Sequence, residues 1–335
     1  MTQIADNCGV RVIDQPRCPL CQTTGQILYE NLVDGLYEVP GKWSVMRCEN
    51  EACEVLWLHP RPIEHDSALL YENYFTHQGV TPAWQSQSLP YRIWVKLGIG
   101  YRALVNRTSA GRLRLRSEQN FLDTVTPGRL LDVGCGEAGW LAGMRKRGWQ
   151  VEGQDIDASA AQRAERDHAI TVHVGRLEEL GIANDTYDAI TLSHVIEHVA
   201  QPAALLQACN RLLKPGGRII VRTPNAKSFG LARFGRHWVA LDPPRHMCIF
   251  TPAALTRLIA DAGISPARCA VWTNSVHAQF IGIASRDLLK QHRHRWQASY
   301  SLSQLIYGQF FELTAWNALR HDALMGEELV LEASK

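Results

Sequence analysis

The stretch Leu130-Leu-Asp-Val-Gly-Cys-Gly-Glu-Ala-Gly139 decides the fold of this chain. An apolar run that ends in an acid is followed by the three glycines at positions 134, 136 and 139. Glycine permits the positive φ angles of a tight turn and lets a ligand approach the backbone closely. The pattern predicts a strand over 129–133, a glycine-rich turn and then a helix whose first amide groups face a nucleoside cofactor.

The glycine spacing alone leaves two kinds of cofactor open. It satisfies G-x-G-x-x-G, which is typical of nicotinamide dinucleotide sites and is also met in S-adenosylmethionine sites. Three neighbouring features favour S-adenosylmethionine: Asp132 at the end of the strand, Asp155 about two dozen residues later, and the run 187–194. With these features, the segment resembles motif I of class I S-adenosylmethionine-dependent methyltransferases, whose usual form is LDVGCGTG.

Strand and helix patterns alternate from Pro127 onward, as a doubly wound parallel sheet requires. The candidate strands cover 129–133, 151–155, 170–174, 188–192 and 218–222, and an antiparallel pair over 269–273 and 328–332 completes the sheet. Right-handed crossovers place the carboxyl ends of the parallel strands on one rim, where ligands bind. We therefore predict an α/β domain over 127–335 that contains a doubly wound, Rossmann-like methyltransferase sheet of seven strands. A helical insertion is expected at about 276–323.

The cofactor residues follow from this rim and from the resemblance. Asp155 ends the second strand, where its carboxylate can accept hydrogen bonds from the ribose hydroxyls. The glycine turn is expected to pass beneath the methionine portion, and the residues after the third strand are expected near adenine. The predicted cofactor-binding set is Asp132, Gly134, Cys135, Gly136, Gly139, Asp155, Ile156, Leu177 and Ser193.

Composition narrows the class of protein. The chain has 335 residues, 46% of them hydrophobic, and a net charge of +2, which suits one large or two modest enzyme domains. A dedicated nucleic-acid binder would show a strongly basic domain, so we do not expect a nucleic-acid partner. No apolar stretch reaches the length of a membrane span, and the first fifteen residues lack the apolar core of a signal peptide. We expect a cytoplasmic protein.

Four cysteines form two pairs near the start of the chain. Cys18 and Cys21 make a C-x2-C knuckle, and Cys48 and Cys53 make a C-x4-C knuckle. In a reducing compartment, such pairs indicate a metal site and not disulfides. Four thiolates would close around a structural zinc ion and leave no coordination position for catalysis. The alternative is four unrelated thiols. We predict a zinc ribbon over 1–62 and a helical cap or linker over 63–126.

A second resemblance concerns the region just after the cysteines. The turn Leu56-Trp-Leu-His-Pro-Arg-Pro62 and the later Tyr71-Glu-Asn-Tyr74 are similar to the N-terminal half of bacterial zinc-ribbon methyltransferases of sugar and surface-glycan pathways. This resemblance implies a sugar, a glycan or another small hydroxylated metabolite as the methyl acceptor.

The chemistry is expected in Ser193-His-Val-Ile-Glu-His198 and Pro243-Pro-Arg-His-Met-Cys-Ile-Phe-Thr251. On a helix that begins near Ser193, positions 194, 197 and 198 share one face. The ubiquinone-pathway and small-RNA O-methyltransferases carry a similar Glu-x-x-Glu-His helix, and a distant His before Phe completes their divalent-metal site. The corresponding set in this chain, predicted as catalytic and as a second metal site, is His194, Glu197, His198 and His246.

Two interpretations of that set remain open. Its histidines favour Zn²⁺ or another transition ion over Mg²⁺, and a bound ion would lower the pKa of the acceptor hydroxyl. Alternatively, the Glu-His pair caps the helix and shapes the pocket. His194 or His246 would then act as the general base, because imidazole titrates near neutral pH.

The C-terminal insertion carries an apolar stripe at helical spacing: Leu302, Leu305, Ile306, Phe310, Leu313 and Trp316. Packing onto the core is the first expectation for it, a homodimer face the second and a membrane-surface helix the third.

We predict O-methylation of a small hydroxylated acceptor. One alternative is an RNA methyltransferase, because zinc ribbons accompany RNA-modifying enzymes, although no basic aromatic stripe is evident. The other is a non-catalytic S-adenosylmethionine-binding protein.

Overall fold

A computed structural model describes residues 4–71, 108–291, 294 and 300–335. The strands are β1 (Ile4–Asn7), β2 (Val10–Ile13), β3 (Gly25–Leu32), β4 (Trp43–Cys48), β5 (Leu56–His59), β6 (Arg61–Pro62), β7 (Arg129–Val133), β8 (Gln150–Asp155), β9 (Val172–Val174), β10 (Tyr187–Ser193), β11 (Leu213–Pro224), β12 (Cys248–Ile249), β13 (Cys269–Asn274) and β14 (Glu328–Ser334). The α-helices are α1 (Ser67–Tyr71), α2 (Ser109–Ser117), α3 (Gly139–Arg145), α4 (Ala158–His168), α5 (Pro202–Leu212), α6 (Phe229–Phe234), α7 (Pro252–Asp261), α8 (Ala278–Gln291) and α9 (Leu302–His321). Most of the cap predicted over 63–126 lies outside the described residues, so the predicted domain boundaries stay predictions.

The central sheet has seven strands in the order β13-β14-β11-β10-β7-β8-β9. Strands β11, β10, β7, β8 and β9 are parallel, and β14 pairs antiparallel with both β11 and β13. This order confirms the predicted Rossmann-like methyltransferase sheet. The third predicted strand is shorter than expected. The fifth begins earlier, at Leu213, because the segment after α5 already pairs with Tyr187.

Alternating side chains cover the two faces of the sheet. One set packs with α3 and α4 in a buried cluster that includes Leu130, Ala189, Ile220 and Val330. The next residues along the same strands pack with α5 and α7 in a second cluster that includes Leu131, Ile190, Val221 and Leu331. A strand buried on both faces needs apolar residues at every position, which explains the continuous apolar runs of these strands.

The N-terminal region does not fold apart from the rest of the described chain. Strands β3, β4 and β5 form a four-stranded sheet whose other edge strand is β12, and Cys248 pairs with Trp57. Cys48 and Trp57 belong to the same buried cluster as Phe250 and Ile196. The cysteine-bearing sheet and the methyltransferase sheet therefore share one hydrophobic core.

The predicted C-terminal insertion contains α8 and α9, but its core-facing side differs from the expected one. The ring of Phe311 lies 5.5 Å from that of Phe229 and 5.4 Å from that of Phe234, and Gly308 lets α9 approach α8 closely. The predicted packing of the stripe onto the core is wrong for four of its members, which are between 38% and 64% exposed: Leu302, Ile306, Phe310 and Leu313. A homodimer through this exposed face stays a prediction. Within the described ranges, no helix is both long and apolar enough to cross a membrane.

Candidate active site and metal centres

The glycine turn after β7 leaves open space beside the backbone. Gly134 and Gly136 have φ angles of 68° and 53°, in the left-handed region that favours glycine. A Cβ atom on Gly134 would lie 2.5 Å from a methyl group of Val195, so the turn packs closely against the segment after β10. A Cβ on Gly136 or Gly139 would touch nothing within 4 Å. We call this open space beside the glycine turn, at the carboxyl ends of the strands, the cleft.

Two acidic residues shape this cleft. The Asp155 carboxylate accepts hydrogen bonds from the Gly136 amide at 2.8 Å and the Asp157 amide at 2.9 Å, so it holds the turn against β8. Asp132 is buried and accepts a hydrogen bond of 2.6 Å from the Thr191 hydroxyl. Burial raises the pKa of Asp132 to about 7.

The remaining predicted cofactor residues differ in accessibility. Ile156 is 60% exposed beside Asp155, and Ser193 is half-buried at the end of β10. Cys135 packs so tightly that a Cβ on Gly153 would lie 2.3 Å from its Sγ. Leu177 is 1% exposed and belongs to the core, so only its backbone can reach a ligand. An exposed apolar side chain, a carboxylate and a turn with glycines at positions 134, 136 and 139 together fit a nucleoside.

The predicted helix beginning near Ser193 is wrong. The His194 amide donates to the Arg222 carbonyl at 2.9 Å, so the parallel pairing continues one residue past β10. His194 then takes a φ of 56°, and only a single 3-10 turn, Ile196–His198, follows. His194, Glu197 and His198 therefore do not share one helical face.

His194 is held between two carboxylates. Its Nδ1 lies 3.2 Å from Glu197 Oε1, and its Nε2 lies 3.1 Å from Glu328 Oε1. Burial by itself would lower the pKa of His194, but these two carboxylates outweigh that effect and raise it to about 9. The imidazole is therefore protonated at neutral pH, and both of its nitrogens are engaged.

Glu328 is in turn anchored by its neighbours on the adjacent strands. It accepts hydrogen bonds from the Asn274 amide at 2.9 Å and forms an ion pair with Arg222 at 2.9 Å. Burial alone would raise the pKa of Glu328, but Arg222 and His194 outweigh it and lower the pKa to about 2.

Glu197, His198 and His246 come together as a second group. One potential ligand atom from each lies within 4.8 Å of the others. His246 Nδ1 donates to the Ala240 carbonyl at 2.7 Å. His198 Nδ1 lies 3.2 Å from the Arg245 carbonyl and 2.9 Å from the Tyr71 hydroxyl, which can accept as well as donate. Since a carbonyl oxygen only accepts, we assign the hydrogen of both rings to Nδ1, which leaves the lone pair on Nε2.

This group has the composition of an open metal site. Two imidazoles and one carboxylate leave coordination positions for other ligands. Outer hydrogen bonds that fix imidazole tautomers are typical of metal-binding histidines. The Thr223 hydroxyl, 3.0 Å from Glu197 Oε2, adds a similar bond to the carboxylate. His194 contacts Glu197 but stands outside the ligand group, so three of the four predicted residues converge.

The four predicted zinc ligands also come together. The sulfur atoms of Cys18, Cys21, Cys48 and Cys53 all lie within 4.8 Å of one another, with 3.8 Å between Cys18 and Cys53 and 3.3 Å between Cys21 and Cys48. Tetrahedral zinc with Zn–S bonds of about 2.3 Å separates its sulfurs by about 3.8 Å. The cluster therefore fits a zinc ion.

Sequence reasoning does not find Arg222, Asn274 and Glu328. Each is a buried polar residue at or near the end of its strand. A charged residue within such a strand is the available signal, because charges are rarely buried without a partner.

Comparisons with known proteins identify the family of the chain. A sequence profile described as "Methyltransferase domain" matches residues 105–266. The chain is 36% identical over 149 residues to the ubiquinone biosynthesis O-methyltransferase of Cereibacter sphaeroides. The aligned region covers 41% of this chain and 60% of that protein. It is 32% identical over 167 residues to the protein of the same name from Thiobacillus denitrificans. This aligned region covers 45% of the present chain and 70% of that relative. The chain belongs to the class I S-adenosylmethionine-dependent methyltransferases.

The similarity to these relatives covers only part of their length. This methyltransferase spans about 60% of the length of the first curated relatives. Among solved structures it is similar to an S-adenosylmethionine-dependent methyltransferase from Archaeoglobus fulgidus, with 18% identity, a TM-score of 0.46, and coverage of 70% of this chain and 99% of that one. The family assignment confirms the predicted resemblance to class I methyltransferases.

Proposed function

We propose that this methyltransferase transfers the methyl group of S-adenosylmethionine to a hydroxyl oxygen of a small acceptor. One observation carries the proposal: Glu197, His198 and His246 form a three-ligand group, and Glu197 lies two residues after Val195, whose side chain packs against the glycine turn. The relatives named O-methyltransferases support transfer to oxygen. The sulfonium methyl is already activated, so holding the acceptor in line supplies much of the acceleration.

We further propose that the group binds a divalent transition ion, and that the four cysteines bind a structural zinc. An ion held by Glu197, His198 and His246 would lower the pKa of an acceptor hydroxyl. The protein's own contribution is orientation. Burial alone would raise the pKa of Glu197, but His194 and the nearby histidines outweigh it and lower it to about 2, so the carboxylate stays ionised. His194 positions that carboxylate and, being protonated, is not the proton acceptor.

The acceptor that fits such a site carries two adjacent hydroxyl groups. One hydroxyl can bind at an open position while its neighbour completes a chelate. A sugar or another small hydroxylated metabolite, as the N-terminal resemblance implies, has this feature. The ubiquinone biosynthesis relatives favour O-methylation but do not choose between these acceptors.

Elemental analysis tests the metal proposal. We expect the wild-type chain to bind two ions, one lost in Cys18→Ser/Cys21→Ser and the other lost in His198→Ala/His246→Ala. The same proteins are assayed with methyl-labelled S-adenosylmethionine and a panel of sugars and vicinal diols. One zinc, lost only with the cysteines, would contradict the catalytic metal and leave His246 Nε2 as the proton acceptor. Cofactor binding without transfer to any acceptor would contradict the enzyme proposal.

A further inference from the structure

A fully buried arginine joins the N-terminal sheet to the loop that carries His246. The Arg245 guanidinium donates to the two oxygens of Asp34 at 2.7 Å and 2.9 Å. It also donates to Asp242, from Nε at 3.1 Å and from Nη2 at 2.5 Å. The ring of Tyr37 lies 4.5 Å from its central carbon. Arg245 and Asp34 side chains have no exposed surface.

The cluster is held in one geometry because most hydrogen-bonding positions of its carboxylates are occupied. Besides Arg245, the Asp34 carboxylate accepts hydrogen bonds from the amides of Leu36, Tyr37 and Val39 at 2.8 Å, 3.0 Å and 3.1 Å. A buried charge is tolerated only when it is paired and hydrogen-bonded, so these contacts cannot be exchanged for water. A planar guanidinium can bind two carboxylates through separate edges, whereas a lysine ammonium cannot reproduce this fork.

The backbone next to this cluster contacts every residue of the proposed metal site. The carbonyl of Arg245 accepts from His198 Nδ1, and that of Ala240 accepts from His246 Nδ1. The Met247 amide donates to the Glu197 carbonyl at 2.7 Å. The loop 240–247 is therefore the support on which the three ligands are oriented. The Arg245 side chain holds this loop to Asp34 and, through Asp242, holds the loop's own turn together.

We propose that Arg245 is a positioning residue: by pairing with Asp34 of the β3–β4 connection and with Asp242, it fixes loop 240–247 and so sets the tautomer and direction of His198 and His246. This inference rests on the proposed function for its link to metal binding, but the positioning itself is a property of the apo chain. It makes the N-terminal sheet a structural part of the active site.

Two conservative variants test the proposal. Asp34→Asn keeps the size of the side chain and an acceptor oxygen but removes the charge that pairs with Arg245. Arg245→Lys keeps the charge but removes the fork. Glu152→Gln is the matched control, because Glu152 is also a carboxylate with several partners, namely Arg129, His173 and Tyr187, none of which contacts loop 240–247.

The first measurement is a long-range ¹H–¹⁵N spectrum of the histidines without added metal, assigned with His198→Ala and His246→Ala. We expect single Nδ1–H tautomers for both residues in the wild type and in Glu152→Gln. In Asp34→Asn we expect mixed tautomers. Wild-type spectra of both residues in Asp34→Asn and Arg245→Lys would overturn the proposal, and a loss of folding in Arg245→Lys would leave Asp34→Asn to decide.

The second measurement is a calorimetric titration of Zn²⁺ into protein whose cysteine cluster is already loaded. Loss of an outer partner typically weakens a metal site by about 10- to 100-fold, and we expect a loss of that size in Asp34→Asn, with S-adenosylmethionine affinity and cysteine-bound zinc unchanged. Wild-type Zn²⁺ affinity in this variant would overturn the link to metal binding. A wild type without a second ion, but with tautomers that change in Asp34→Asn, would refute the proposed metal chemistry and support the positioning role.

Discussion

The two candidate metal sites are assembled in different ways. The four cysteines come from two short knuckles, one before β3 and one at the end of β4, and all four positions of a zinc ion would be filled by protein. Glu197, His198 and His246 come from two loops about fifty residues apart in the chain and supply three ligands. The first arrangement suits stability, and the second leaves positions for a substrate.

Their surroundings differ as well. The cysteine cluster lies in the large hydrophobic core, next to Val55 and Trp57. The histidine-glutamate group is instead surrounded by hydrogen-bonded polar residues, among them His194, Thr223 and Arg245. Apolar packing is sufficient for a structural site, whereas a catalytic site needs hydrogen bonds that orient each ligand. If this comparison is correct, damage to the first site lowers stability and damage to the second lowers activity.

The largest effect should come from removing the cysteine site. In Cys18→Ser/Cys21→Ser we expect loss of the N-terminal sheet and a fall of several kcal/mol in the free energy of unfolding, since zinc sites can contribute on the order of 10 kcal/mol to folding. The measurement is urea unfolding followed by circular dichroism. Cys209→Ser, a buried cysteine outside the cluster, is the control. A double variant as stable as this control would show that the cluster binds no structural metal.

The second largest effect should be on the rate of methyl transfer and not on stability. In His198→Ala/His246→Ala we expect the transfer rate to fall by about 100- to 1,000-fold, within the range of lost acid-base or metal assistance, while S-adenosylmethionine affinity and the unfolding midpoint change little. The control His173→Ala removes a half-buried histidine that pairs with Glu152 away from the cleft. A full rate in the double variant, measured with the accepted substrate at saturation, would remove the second site from the mechanism.

Sequence patterns predict these two sites unequally. The strands and the glycine turn follow from local periodicity, and the cysteine knuckles from spacing within a short segment. His194, Glu197 and His198 can be identified as residues of interest, but the predicted helix is absent because the His194 amide still pairs with the Arg222 carbonyl. Asp34 and Arg245 lie more than two hundred residues apart, and they meet because β12, which directly follows loop 240–247, pairs with β5 of the N-terminal sheet.

A change at Glu328 tests whether its contacts with His194 and Arg222 matter for the reaction. In Glu328→Gln we expect the rate to fall by about 10- to 100-fold, because His194 loses one of the carboxylates that orient it and Arg222 loses its ion-pair partner. Cofactor affinity should not change. Glu332→Gln is the matched control on the same strand, where Glu332 accepts a hydrogen bond from Trp272 at 3.3 Å. Equal rates in the two variants would mean that the network around His194 only supports folding.

The smallest effect concerns Glu327, which neighbours Glu328 and is buried without a cationic partner among the residues that the structure describes. Burial raises its pKa to about 7, and its Oε1 accepts a bond from the Gly230 amide at 2.7 Å. Between its unfolded pKa near 4.5 and about 7, the folded state holds the proton more tightly. Stability should therefore fall as pH rises through this window, by on the order of 2 kcal/mol.

Glu327→Gln separates this contribution from all others. The amide keeps the acceptor for Gly230 and cannot ionise, so the free energy of unfolding, measured by urea titration from pH 4.5 to 8, should decline less steeply than in the wild type. Below about pH 6, Glu328→Gln should not flatten the curve in this way, because Arg222 and His194 keep Glu328 ionised there and His194 is still protonated. An unchanged slope in Glu327→Gln would show that the buried acid stays ionised. The difference between these adjacent residues would then come from hydration and not from the presence of a cation.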